Sequence, residues 1–260
     1  MQERILNVLD EIESSEGVRI FYACESGSRE WGFPSADSDY DVRFLYVRPE
    51  DWYFSINVEE KRDVIERLIV DILDVGGWDL RKALQLLRKS NPPLLEWLNS
   101  PIVYRQTLAS IEQLRELVPL SYSPIACFYH YLSMARGNYR EYLKGELVRV
   151  KKYFYVLRPI LAAKWIEAGH GIAPVKFRTL VERMVTDSAV RVAIDELIER
   201  KRAGEELDRE PQIPVLTEFI AKELEILEAT KLEPSRTESI TDRLDTGFRT
   251  IVRGSWVVQH

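Results

Sequence analysis

The sequence predicts an α+β protein, strands first and helices after. Three observations carry this. Two β-branched, aromatic runs, residues 18–24 (VRIFYAC) and 40–47 (YDVRFLYV), lie near the start of the chain and read as buried strands. From about residue 106 onward, apolar residues recur at helical spacing almost throughout. Strand and helix do not alternate along the chain, which favours a segregated α+β arrangement over a doubly wound sheet. The chain has 260 residues, 45% apolar and 30% charged. That suffices for one large or two modest packed domains and excludes global disorder.

The elements follow in order. Ile5, Leu6, Val8, Leu9 and Ile12 form one apolar stripe, predicting a helix over residues 2–13. The strand over 18–24 runs into a Gly-, Ser-, Pro- and Asp-rich loop, ESGSREWGFPSADSD, and the strand over 40–47 follows. Residues 63–73 (DVIERLIVDIL) read as a third strand, ending before Gly76-Gly77. Leu80, Ala83, Leu84 and Leu87 then mark a helix, and Asn91-Pro92 marks the start of another. Further helices are expected over 106–117, 124–143, 147–168, 175–185, 188–203, 214–230 and, more weakly, 237–250. The segment VPLSYSP, residues 118–124, is the best domain boundary.

Several function classes are disfavoured. No run reaches the roughly 18 apolar residues of a membrane span. The N-terminal segment is charged and has no apolar signal core, so a cytoplasmic protein is expected. Cys24 and Cys127 sit in apolar contexts and read as reduced, buried thiols. His130, His170 and His260 are scattered, and no His/Cys spacing resembles a zinc site. Any metal would need oxygen ligands. A net charge of −6 argues against a globally basic nucleic-acid wrapper.

The chemistry concentrates in Gly27-Ser28, a ten-residue spacer, and Asp39-Tyr40-Asp41-Val42. A Gly-Ser turn after a strand can offer backbone N–H groups and hydroxyls to a phosphate. Asp39 and Asp41 are two apart at the start of a strand, so both carboxylates are expected on one face. Two carboxylates roughly 5 Å apart repel by about 3 kcal/mol at an effective dielectric near 20. A hard divalent cation offsets that repulsion, and Mg²⁺ commonly takes one or two carboxylates plus substrate phosphates. Arg43 shares the face of Asp41 and is open to pairing with the aspartates or touching a phosphate.

The stretch GSREWGFPSADSDYDV resembles the signature of the DNA-polymerase-β-like nucleotidyltransferase superfamily. With DVGGWDLRKALQLLRKSNPPLLEWLNSPIVY it resembles, over about residues 20–165, bacterial and archaeal nucleotidyltransferases related to the polymerase-β-like proteins associated with RNA-repair ligases. The resemblance implies a small mixed-sheet palm, here residues 1–120, and a mostly helical domain over 121–260 closing over the nucleotide. It implies an NTP donor and a divalent metal, Mg²⁺ with Mn²⁺ as the alternative, held by Asp39, Asp41 and a third carboxylate. Asp71, Asp74 and Asp79 are candidates for that third position, with Asp74 preferred, Asp71 second, and Asp79 read as serving a helix N-terminus. Gly27 and Ser28 would hold the β/γ-phosphates.

The helical half carries a charge asymmetry, with eight basic and two acidic residues from 136 to 164. Lys151, Tyr155 and Arg158 fall at helical spacing, and Lys152 lies on a neighbouring face. The run KKYFYVLRP resembles the element by which related enzymes bring cations to the triphosphate and an aromatic ring to the base; a solvated basic helix is the competing reading. Pro159 would kink this helix and turn Arg158 toward a cleft. The expected reaction passes a nucleoside monophosphate from an NTP to a hydroxyl of RNA, tRNA, a protein or a small molecule. The alternative is an NTP-binding regulator without turnover.

Overall fold

The computed structural model describes residues 1–205, 207, 209–233 and 239–256. Its fold is α+β, with a five-stranded mixed sheet and a helical C-terminal region. The chain divides into two compact units. One comprises residues 1–30, 39–122 and the last described helix; the other comprises residues 31–38 and 123–233.

The first unit opens with helix α1 (Gln2–Glu16), which Gly17 terminates in the left-handed region at φ 63°. Strand β1 (Arg19–Ser26), the short helix α2 (Gly27–Trp31) and strand β2 (Tyr40–Val47) follow. A helical turn α3 (Glu50–Tyr53) leads to strands β3 (Val64–Glu66) and β4 (Leu73–Asp79). Helices α4 (Leu80–Arg88) and α5 (Pro92–Leu98), strand β5 (Val103–Gln106) and helix α6 (Leu108–Ser121) come next. The sheet order is β3-β4-β2-β1-β5, with β2 and β4 parallel and the other neighbours antiparallel. Ile5, Leu9 and Ile12 of α1 pack with Ala23, Val42, Phe44, Leu73 and Val75 on one sheet face, the unit's core. Because side chains alternate along a strand, Ser26, Asp41 and Asp74 are left on the opposite face. They stand in register across β1, β2 and β4.

The second unit holds α7 (Pro124–Tyr142), β6 (Leu147–Arg149), a 3₁₀ turn over Val150–Lys152, α8 (Tyr153–Glu167), α9 (Phe177–Met184), α10 (Ser188–Arg202), β7 (Arg209–Pro211) and α11 (Pro214–Ala229). Helix α8 is buried on most sides, as expected of a helix at the centre of a bundle. Phe33 stacks on Phe154 at 4.5 Å and meets Phe177 edge-on at 5.4 Å, so the loop after α2 is anchored in this core. Helix α12 (Thr241–Trp256) belongs to the first unit, where Phe248 meets Tyr53 and the Trp256 indole donates to the Arg48 carbonyl.

Three expectations need correction. The third strand is not residues 63–73. Its apolar run Leu68, Ile69 and Val70 is 91%, 65% and 56% exposed in the connection between β3 and β4. Strand β4 starts at Leu73 and runs through Gly76-Gly77. A Cβ at Gly77 would collide with the Phe44 ring, so this glycine is what lets β4 lie beside β2. The basic segment 147–168 is not one helix but strand, 3₁₀ turn and helix. Strand β5 takes in Gln106, the first residue of the helix expected over 106–117, and α6 starts only at Leu108. The helix expected over 237–250 is observed from Thr241; residues 237 and 238, and His260, lie outside the described residues.

Candidate active site

Strand β1 delivers the chain to Gly27, whose φ of 65° lies in the left-handed region. A Cβ there would fall on Asp41 Oδ2 and lie 3.1 Å from Asp41 Cγ. Two properties of glycine are therefore used at once: its backbone freedom, and the space that seats the Asp41 carboxylate against the turn. Ser28 follows, half-buried in α2, and Ser26 Oγ donates to Glu30 Oε2 at 3.4 Å.

The parallel register of β2 and β4 sets Asp41 beside Asp74. Both carboxylates are 30% exposed. Arg43, two residues along β2 and on the same face, reaches between them. Its Nη2 lies 2.6 Å from Asp74 Oδ2 and 3.3 Å from Asp41 Oδ1. Its Nη1 donates to the carbonyls of Val42 at 3.1 Å and Asp74 at 3.3 Å.

Asp39 is not brought into this pair by strand alternation. It precedes the first residue of β2 and is exposed, and its carbonyl accepts from Arg29 Nε at 3.1 Å. Asp71, the second choice for a third carboxylate, is not mid-strand. It sits in the β3–β4 connection at φ 57°, 71% exposed, and pairs with Arg4 at 3.1 Å. Asp74 is the second residue of β4 rather than its end. Asp79 caps α4, accepting from the Arg81 N–H at 2.8 Å, as its position before a helix suggested.

One carboxylate escaped the sequence reading. Glu25 is fully buried; its Oε1 accepts from the Asp41 N–H at 3.0 Å and its Oε2 from the Tyr104 hydroxyl. Burial pushes its carboxyl pKa up, against the opposing hydrogen bonds from Tyr104 and Asp41. The signal was available: alternation from Ala23 puts Glu25 on the core face, where a charged residue needs partners.

In the second unit, Lys151 is exposed on the 3₁₀ turn and Tyr155 is 44% exposed on the first turn of α8. Lys152 lies between two aromatic rings, 4.4 Å from the Tyr142 centroid and 4.3 Å from that of Tyr155. Burial, then the neighbouring Lys151 and Arg149 charges, lowers its pKa. Arg158 does not share that surface. It is 3% exposed, and its guanidinium stacks over Trp31 at 5.0 Å. The shared helix face expected for Lys151, Tyr155 and Arg158 fails because Lys151 precedes the α-helix and Arg158 turns into the core.

The chemistry of Asp41 and Asp74 fits a hard divalent cation: carboxylate oxygens from neighbouring strands, each side chain 30% exposed, with Asp41 against the Gly27 turn. A guanidinium already occupies the same oxygens. Among the described residues no three His, Cys, Asp or Glu side chains form a ready cation cage.

Residues 1–250 match the model of the RNA repair pathway DNA polymerase beta family, RlaP. The chain is 51% identical over 257 residues to the uncharacterized protein YcgL of Bacillus subtilis (strain 168), covering 98% of each. It is 12% identical to a nucleotidyltransferase-like protein from Exiguobacterium sibiricum 255-15 of known crystal structure, over 98% of this chain and 89% of that one, with a TM-score of 0.33. Among the described residues no helix is long and apolar enough to cross a membrane. The family match spans both the Gly-Ser turn and the paired aspartates, and by it the chain belongs to the RNA repair pathway DNA polymerase beta family, a family of polymerase-β-like nucleotidyltransferases.

Proposed function

We propose that the chain transfers a nucleoside monophosphate from an NTP to an acceptor hydroxyl. The acceptor oxygen bonds to the α-phosphorus, the bond from that phosphorus to the bridging oxygen breaks, and pyrophosphate leaves. The hydroxyl proton passes to a carboxylate, for which Asp74 is the candidate. The observation that carries this reading is the Asp41–Asp74 pair, in register across parallel strands with Asp41 seated on Gly27. Catalysis would consist mainly of positioning and of offsetting charge.

The backbone at Gly27 and the Ser28 hydroxyl would orient phosphate oxygens. Mg²⁺, or Mn²⁺, held by Asp41 and Asp74 with Asp39 nearby in sequence, would neutralise charge on the phosphates. Within the second unit taken by itself, Lys151, Lys152 and Tyr155 would offer positive charge and a stackable ring to an anionic, aromatic ligand. The buried Arg158 is better suited to holding Trp31 in place. RNA is the first acceptor to test, with protein hydroxyls as the alternative.

The test is incubation with each α-labelled NTP, Mg²⁺ or Mn²⁺, and RNA or cell extract, reading pyrophosphate release and label transfer. Transfer that requires Asp41 and Asp74 supports the proposal; transfer undiminished in Asp41→Asn and Asp74→Asn removes it. The salt bridges from Arg43 favour a second reading, an NTP-binding regulator without turnover. Tight NTP binding with no pyrophosphate release across broad acceptor panels would establish that instead.

A further inference from the structure

We infer that Arg43 is a built-in counter-cation, which holds the Asp41–Asp74 pair until a polyphosphate draws it away and so makes metal binding depend on nucleotide. The inference rests on the transfer reading above and adds a control step to it.

The geometry is that of a fitted seat. Nη2 bridges Asp74 Oδ2 at 2.6 Å and Asp41 Oδ1 at 3.3 Å, while Nη1 is held by two backbone carbonyls. A side chain that merely shields the strand face would not need four acceptors. Nη1 also lies 3.8 Å from where a Cβ at Gly76 would stand, so the guanidinium passes beside a residue with no side chain. The register pairs Arg43 with Gly76 directly. The two carboxylates repel each other, and one positive charge between them relieves this without any metal.

The same arrangement sets up a competition. A divalent ion needs the oxygens that Arg43 already uses, and it is repelled by the guanidinium. Metal alone should therefore bind weakly. Arg43 is 21% exposed, so its fork is within reach of an anion arriving from solvent. Guanidinium binds phosphate oxygens in a planar, two-pronged manner. A triphosphate can thus take the guanidinium while the freed carboxylates take the cation that the triphosphate also binds. Each ligand then raises the other's affinity, and by linkage the factor is the same in both directions.

The experiment measures Mn²⁺ affinity from the electron paramagnetic resonance signal of the free ion. It is done with and without a non-hydrolysable α,β-methylene NTP, each corrected by a protein-free titration for the Mn²⁺ that the nucleotide chelates itself, in wild type, Arg43→Met, Arg43→Gln, Asp41→Asn and Asp74→Asn. Arg43→Met should bind Mn²⁺ without nucleotide about tenfold more tightly than wild type, a factor within ordinary coupling energies. Adding nucleotide should tighten wild type by more than it tightens Arg43→Met. Arg43→Gln should follow Arg43→Met, and wild-type coupling alone is informative if neither variant folds. Wild type binding Mn²⁺ equally well with and without nucleotide overturns the proposal. So does Arg43→Met binding no more tightly than wild type. If Asp41→Asn and Asp74→Asn abolish binding in either case, the transfer reading survives that failure. If no variant binds Mn²⁺ under any condition, both fall.

Discussion

The β2–β4 ladder treats its two aspartate positions in opposite ways. At one end Asp41 faces Asp74, both 30% exposed, with a guanidinium between them. At the other end Tyr46 faces Asp79, which is fully buried. Asp79 accepts from the Tyr53 hydroxyl and the Arg81 N–H, each at 2.8 Å. Burial is the main cause that pushes its carboxyl pKa up to about 6, while those two bonds and the Arg48 charge oppose the shift. A carboxylate that must exchange ligands needs a partner that can leave and an opening to solvent. One that closes a helix needs fixed donors and no opening. The difference separates a candidate chemical end of the sheet from a structural one.

The largest expected effect tests that separation directly. Asp41→Asn and Asp74→Asn should each lower nucleotidyl transfer by about 10³-fold, the scale seen when a charge-stabilising group is removed from a site. Their unfolding midpoints should stay close to wild type, because half-exposed ion pairs contribute about 0–1 kcal/mol. Asp79→Asn should leave transfer within a few-fold, since its amide can still accept from the Arg81 N–H. Pyrophosphate release beside a thermal melt measures both quantities. Loss of transfer in Asp79→Asn equal to that in Asp74→Asn would erase the distinction between the two ends.

The second effect is on stability. The Asp79 carboxyl has a folded pKa of about 6 against an ordinary value of 3.8. Between those values the folded chain holds a proton that the unfolded chain has released. The stabilising contribution is thus complete below about pH 4 and is lost as pH rises through about 6. For this group alone the loss is about 3 kcal/mol. Urea unfolding of wild type and Asp79→Asn across that window should show the variant lacking this decline. Parallel curves would mean that Asp79 is charged and compensated at every pH.

Much of this division was legible in the sequence, for physical reasons that differ by element. The strands at 19–26 and 40–47 were readable because β-branched and aromatic residues cluster between turn signals. The capping role of Asp79 was readable because helix spacing begins right after it. The register that sets Asp74 opposite Asp41 was not, because the apolar run Leu68–Val70 imitates a buried strand while standing in solvent. Gly76-Gly77 imitates a strand end, yet Gly77 yields its side-chain space to Phe44 within the sheet. The three-acid convergence expected from Asp39, Asp41 and Asp74 took strand alternation to extend to Asp39, one residue before β2 starts at Tyr40. Arg158 was expected on one helix side with Lys151 and Tyr155, turned toward a cleft, but Trp31 provides a flat ring on which its guanidinium stacks in the core. Pairings set by distant segments are what local patterns leave open.

The smallest effect asks whether burial alone makes a carboxylate structural, whichever end it occupies. Glu25 lies beside Asp41 yet is as buried as Asp79. Tyr104→Phe removes the donor to its Oε2 and leaves the Asp41 N–H on Oε1. Depriving a buried acceptor of one partner should cost about 1–2 kcal/mol. Transfer should fall only a few-fold, since Asp41 keeps its tether. The lost bond favours the ionised form of Glu25, so the gap between wild type and Tyr104→Phe should narrow as pH falls and the carboxyl takes up its proton. Denaturant curves at neutral and at mildly acid pH measure the gap. A gap that is constant with pH would show that Tyr104 contributes packing alone. A loss of transfer as deep as that of Asp41→Asn would move Glu25 from the frame of the site into its machinery.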